Sequence, residues 1–227
     1  MKTTTRILST IALAALVLGS ISCASKTSTP TRGFLYDYRG FTKESGFDDR
    51  LVYRGDVRRV AGYHSVYLEQ VEVLTPTDMA KKEVTSQDLL RLQQEFRSAL
   101  QQEVIESRYQ LAAGRGPGVL SLRAAIVDLQ PGDPAMFAAS AAPYVSTATF
   151  VAGAATGAKF GKGSAKVEAE VLDSMTRERF AAVIDEKVGS KLEIVQGMSR
   201  WGHVELAMKR WADRFGKFLE DPAAKAN

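Results

Sequence analysis

The chain has 227 residues, 45% of them hydrophobic and 25% charged, with a formal net charge of +4. Lysines and arginines are scattered among acids, with no basic block and no interleaving of aromatic and basic residues, so nucleic acid is not an expected partner. One cysteine and two histidines give no disulfide framework and no cluster at metal-ligand spacing, so neither a metal nor a cofactor is expected.

The N-terminus carries the clearest signal. Lys2 and Arg6 precede an uncharged apolar run from Ile7 to Leu18, then Gly19-Ser20-Ile21-Ser22-Cys23. The run is too short for a bilayer span, which takes roughly 20 apolar residues, and has the build of a secretory signal. Because its small residues stop at the sole cysteine, it resembles a bacterial lipoprotein signal, in which Cys23 receives lipid and becomes the new N-terminus. Ser20 stands where leucine is usual, and an ordinary secretory signal is the alternative. Removing residues 1–22 takes away Lys2 and Arg6 and no acid, so the net charge falls from +4 to +2. Residues 23–33 read as the lipidated cysteine and a flexible tether, small, polar and punctuated by Pro30 and Gly33. Fully extended, such a tether reaches at most about 35 Å. Ala24, rather than Asp, after the cysteine resembles an outer-membrane sorting signal, with inner-membrane retention or secretion as alternatives.

Residues 34–227 are expected to form a single periplasmic α+β domain. Phe34 to Arg54 is rich in aromatics and acids and reads as an irregular segment pinned by its rings. Val66 to Leu74, β-branched and ended by Thr75-Pro76, predicts the first strand. Thr85-Ser86-Gln87-Asp88 forms a capping-box pattern, after which Leu89, Leu92, Phe96, Leu100 and Val104 recur at helical spacing. Gly114 to Gly118 breaks the chain, and Val119 to Asp128 predicts a second strand. Lys166 to Asp173 alternates, with Val167, Ala169 and Val171 toward the core and Glu168 and Glu170 toward water. Phe180 to Asp185 is its hairpin partner. A closing helix near His203 to Leu219 carries the stripe Val204, Met208, Trp211, Phe215 and Phe218. The order strand, helix, strand, strand, strand, helix predicts a mostly antiparallel sheet with two amphipathic helices packed on one face.

Pro134 to Ala158 has no charge, and a small-residue, Ala- and Gly-rich insertion is expected over 134–163. Gly153, Gly157 and Gly161 repeat every four residues, a spacing that gives a helix a smooth face for close approach. A packed insertion, a self-association surface and membrane insertion within an oligomer are the three readings; Pro143 and the scarcity of apolar area argue against a transmembrane span.

No catalytic motif is present. There is no Gly-x-Ser-x-Gly elbow, and Gly114-x-Gly116-x-Gly118 precedes a strand rather than a helix, so it is a turn and not a phosphate cradle. His203, beside Trp201, is expected at the surface or as a cap, and His64 at the entry to a strand. Asp128 and Asp173 both end predicted strands, the one carboxylate pair that would suit acid–base work if they shared a sheet end.

The stretch Gly116 to Asp128, with Gly161 to Arg179 containing Ser174-Met175-Thr176-Arg177-Glu178-Arg179, resembles an uncharacterised family of bacterial lipoproteins catalogued as domain of unknown function 3313. The likeness extends from about Gly33 to Leu219. Arg177 stands where that family often has Gly, which raises the question of positive φ at the turn. The resemblance implies no reaction. The expectation is therefore a lipid-anchored envelope protein of non-catalytic interaction or structural role, contacting another envelope protein or itself. An oligomeric secretion or pore-associated subunit is the alternative, and a periplasmic hydrolase the lesser one.

Overall fold

The computed structural model describes residues 33–46, 50–74, 84–141, 161–190 and 193–224. Cys23, Gly153 and Gly157 lie outside the described residues.

Among the described residues eight strands form one sheet: β1 (Thr42–Lys43), β2 (Leu51–Arg54), β3 (Ser65–Leu68), β4 (Glu72–Val73), β5 (Gln110–Leu111), β6 (Val119–Gln130), β7 (Ser164–Asp173) and β8 (Arg179–Val188). Their order is β1-β2-β8-β7-β6-β3-β5, with β4 also beside β6. Among the described residues the helices are α1 (Ser86–Glu106), α2 (Pro134–Ala141), the short α3 (Ile194–Gly197) and α4 (Gly202–Glu220). A 3-10 turn spans Val57–Gly62.

The α+β class and the two amphipathic helices over one face agree with the sequence. The sheet is mixed, which corrects the expected pairing: β1, β2, β8, β7 and β6 are antiparallel neighbours, but β3 and β4 run parallel to β6, and β3 parallel to β5. The cause is α1, which carries the chain from β4 back to the starting end of the sheet, and a crossover of that kind yields parallel partners. The predicted first strand is split in two, pairing with β6 at Ser65↔Val119 to Leu68↔Leu122 and again at Glu72↔Ala125. The aromatic segment, read as irregular, contributes β1 and β2.

Helix α1 starts where its sequence requires. Thr85 Oγ1 accepts from the Asp88 N–H at 3.1 Å, and the Asp88 carboxylate accepts from the Thr85 N–H at 3.0 Å, closing the capping box. Leu92, Phe96, Leu100 and Val104 are buried. Helices α1 and α4 lie side by side and parallel, since matched contacts advance together along both: Trp201 Nε1 donates to Asp88 at 3.0 Å, Arg91 pairs with Glu205 at 2.7 Å, and the Phe96 and Trp211 rings sit 6.0 Å apart. Below them, Leu122, Ala124 and Ile126 of β6 and Val167 and Val171 of β7 complete the main core.

The opposite face of the sheet is covered as well. Phe34 and Leu35 pack with Ala125, Ala182 and Ile184, flanked by Tyr38, Phe41 and Tyr53, so the rings pin the entering chain as its composition suggests. Glu168 and Glu170 lie beneath this strap at 1% and 2% exposure, correcting the expectation that they face water. Alternation placed them on the face away from the helices; the strap is what removes that face from solvent.

Candidate functional site

Helices α1 and α4 do not cover the whole of their face. Beside α4, over β7, β8 and β2, lies a cavity of about 700 Å³, within the range of small-molecule sites. It exists because the strand positions facing α4 there are short. Val52, Ala181 and Val183 share one side of β2 and β8 through the pairs Val52↔Val183 and Arg54↔Ala181, and Ala169 of β7 stands beside Val183. These side chains do not reach the aromatic wall that α4 sets above them with Trp211, Phe215 and Phe218.

The two ends of the cleft differ. At one end, Asp185 of β8 is 1% exposed; its Oδ2 accepts from Trp211 Nε1 and from an Arg214 nitrogen, each at 2.9 Å, and Lys187 Nζ lies 3.5 Å from Oδ1. Arg50 stands nearby, paired with Glu44 at 3.0 Å. Burial lowers the Arg50 guanidinium below the usual arginine value, with Glu44 opposing the shift. At the other end, Arg54 reaches Glu44 Oε1 at 3.3 Å and the Pro222 carbonyl at 3.5 Å, and Lys217 pairs with Asp213 one helical turn away. The Arg54 backbone lies opposite Ala181, four steps or about 13 Å of strand from Asp185, and Glu44 joins Arg54 to Arg50 across that span.

The second face carries a charged plate under the strap. Glu170 is clasped by Arg123 and by Arg179, the latter at 2.7 Å, while the Arg123 guanidinium lies 4.4 Å from the Phe34 ring centroid and 5.0 Å from that of Tyr36. Glu168 Oε2 accepts from the Phe34 and Leu35 N–H groups at 2.8 and 3.1 Å and from Tyr38 Oη at 2.6 Å. Gly33 passes so close that a Cβ there would collide with Tyr38 Oη. A buried charge is costly unless paired; Glu170 has its two arginines, whereas Glu168 gives Oε2 to the strap and leaves Oε1 buried without a hydrogen-bond partner among the described residues.

The residues singled out from sequence fall in different places. Gly161 has φ +71° and lies against the first turn of α2, where a Cβ would come within 2.5 Å of the Phe137 nitrogen; its contact is with its own chain. Asp128 pairs with Lys166 and Asp173 with Leu120, so the two carboxylates lie at opposite ends of the β6–β7 ladder. They form no acid–base pair. Asp173 instead caps the β7–β8 turn, accepting from the Met175 and Thr176 N–H groups at 2.8 and 2.6 Å and from Tyr63 Oη at 2.5 Å. His64 lies at the entry to β3 with Nδ1 2.8 Å from Ser65 Oγ. His203 is 5% exposed, not at the surface, because its ring packs edge-on to Phe137 at 5.4 Å in the first turn of α4. Among the described residues no group of three His, Cys, Asp or Glu side chains is placed to hold a metal, and no helix is long and apolar enough to cross a membrane.

Sequence reasoning missed the cleft. Trp211, Phe215 and Phe218 were legible as a stripe, and Asp185 continues the same side of β8 as Ala181 and Val183, a carboxylate in register with core positions. What lay out of reach was β2, whose pairing with β8 extends the floor beyond α4.

The molecule is thus an α+β protein with a mixed sheet, helices on one face, an aromatic strap on the other and an apolar cleft beside the last helix. The chain belongs to the family described as "Protein of unknown function (DUF3313)", whose model matches residues 30–215. No curated protein matches it significantly. Among solved structures, a PelC dodecamer from Paraburkholderia phytofirmans is similar at 10% identity and TM-score 0.38, covering 71% of this chain and 92% of that one. The hypothetical protein CT253 from Chlamydia trachomatis is similar at 12% identity and TM-score 0.39, covering 69% and 98%. Similarity at this level identifies no activity.

Proposed function

We propose that this family member is a lipid-anchored protein of the cell envelope, held by Cys23 in the outer membrane with its α+β domain toward the periplasm, and that its role is interaction or structure rather than catalysis. The observation that carries this reading is the N-terminal segment, a basic start, a short apolar run and small residues ending at the only cysteine of the chain. The domain supports it in two ways. The strap that follows the tether is clamped to the sheet by Glu168 and by the plate of Glu170, Arg123 and Arg179, so the anchored end of the chain enters the fold at a firm point. The separation of Asp128 from Asp173 removes the one acid–base pair that the sequence offered. The partner is another envelope protein or a second copy, with the small-residue segment around Gly153 and Gly157 as the surface for self-association.

The test compares wild type with Cys23→Ala for incorporation of radiolabelled fatty acid and for membrane fractionation. Label on the wild type alone, with enrichment in the outer membrane, is the expected result. An unlabelled wild type overturns the anchor, and label with inner-membrane enrichment overturns the address. Deletion of residues 134–158 that leaves the oligomeric state unchanged overturns the self-association surface.

A further inference from the structure

The cleft beside α4 plays no part in anchoring, and its lining is graded in a way that specifies a ligand. The geometry points to a binding site for a single-chain amphiphile with an acidic head, its apolar chain lying along β8 beneath Trp211 and Phe215 and its head at Arg54 and Lys217.

The middle of the cleft is largely apolar, with Ala169, Ala181 and Val183 below and aromatic rings above. Such a lining has little to pair with the hydroxyls of a sugar or the backbone of a peptide, and an unpaired polar group buried there would weaken binding. An alkyl chain suits it, each buried methylene tightening binding by about fourfold. Asp185 closes the inner end; its Oδ2 accepts from Trp211 and Arg214 and its Oδ1 lies 3.5 Å from Lys187 Nζ, so two cationic side chains already face it and oppose a cationic head.

The outer end is different. Arg54 is held by two long contacts, 3.3 Å to Glu44 and 3.5 Å to the Pro222 carbonyl, and Glu44 has Arg50 as a second partner at 3.0 Å. Lys217 is 69% exposed and paired with Asp213, itself 55% exposed, and Asp221 also lines the cleft. Exposed pairs of this kind are weak, whereas a carboxylate or phosphate meeting the Arg54 fork forms the stronger charge-assisted bond. A fatty acid and a phosphate-headed monoacyl lipid share this chemistry.

The chain has two tryptophans, Trp201 and Trp211. Trp211 lines the cleft, while Trp201 lies at the start of α4 with its indole bonded to Asp88, about 15 Å up the helix. Bromine-labelled fatty acid added to the full-length protein, stripped of bound lipid, is expected to quench tryptophan fluorescence saturably, and Trp211→Phe to abolish the saturable quenching. Ala181→Phe, which fills the floor, is expected to weaken binding at least about tenfold. Arg54→Gln, at the rim, is expected to weaken the acid about tenfold and leave the matching alcohol unchanged, the unchanged alcohol showing that the fold is kept. A monoacyl phosphate and a short-chain acid, measured as competitors, separate head from chain. Absence of saturable quenching, or quenching that survives Trp211→Phe, overturns the site. Equal binding of acid and alcohol, or preference for an alkylammonium, overturns the acidic head.

Discussion

Arg177 holds the turn between β7 and β8 at φ 63°, the only described residue other than glycine with positive φ. The left-handed region costs an L-residue roughly 1–2 kcal/mol, and here the cost is offset by the side chain, which donates to Glu69 at 2.6 Å and lies 3.3 Å from Ser121 Oγ. Arg177→Gly and Arg177→Ala both remove those contacts, so their difference isolates the backbone. In denaturant unfolding the glycine variant is expected to be more stable than the alanine variant by about 1 kcal/mol; equal stabilities would mean that the turn is not left-handed. The same turn sets an acid response. Backbone N–H of Thr176 and the Tyr63 hydroxyl hold the Asp173 carboxyl down at about 2. Because the folded value lies below the ordinary aspartate value, the carboxylate stabilises the fold fully above that ordinary value, and the contribution is lost as pH falls toward 2. Wild type should therefore lose stability between about pH 4 and pH 2 by an increment that Asp173→Asn does not show, and parallel stability profiles for the two would exclude this role.

The strap from Gly33 to Phe41 is an element without regular structure, and it depends on one buried acid. Glu168→Ala leaves the Phe34 and Leu35 N–H groups without their acceptor beneath buried rings, a loss of about 2–4 kcal/mol. Much of this loss should appear as local opening of the strap. Trypsin cleavage at Arg39 under native conditions is expected to accelerate at least about tenfold, with the sheet intact by circular dichroism; an unchanged rate would show that the strap is held by its rings alone. This is also where sequence reading ran out. The capping box at Thr85 and Asp88, the stripe of α1 and the alternation of β7 are local patterns, and the structure follows them. The burial of Glu168 and Glu170 depends on a segment more than 120 residues away, and alternation reports which side a residue faces, never what covers that side. The parallel pairing of β3 and β4 with β6 was hidden for a related reason, since β-propensity carries no direction. The cleft was half legible: its aromatic wall is a helical stripe, but its emptiness arises from alanines on neighbouring strands and from β2, which the sequence presents as irregular.

At the scale of the whole molecule, both faces of the sheet are covered but unequally, and stability should follow that inequality. β6 and β7 have hydrogen-bonded neighbours on both sides and pack beneath the helices on one face and the strap on the other. β1 and β5 lie at the edges, two residues each and exposed. β8 and β2 lie between these extremes, since beneath the cleft their α4-facing residues lack close neighbours. Native-state hydrogen exchange should therefore order the strands from the middle outward: hydrogen-bonded amides of Leu120–Ile126 and Val167–Leu172 approach the global unfolding free energy, those of β8 and β2 open sooner, and the edges exchange orders of magnitude faster. Occupation of the cleft should reverse part of that order, because a ligand bound only to the closed state protects the strands that form its floor. Saturating fatty acid is expected to slow exchange at the β8 and β2 amides by more than at those of β3, which lies beneath α1 away from the cleft. Uniform slowing across the sheet would mean that the ligand stabilises only against global unfolding, and slowing confined to β3 would place it elsewhere.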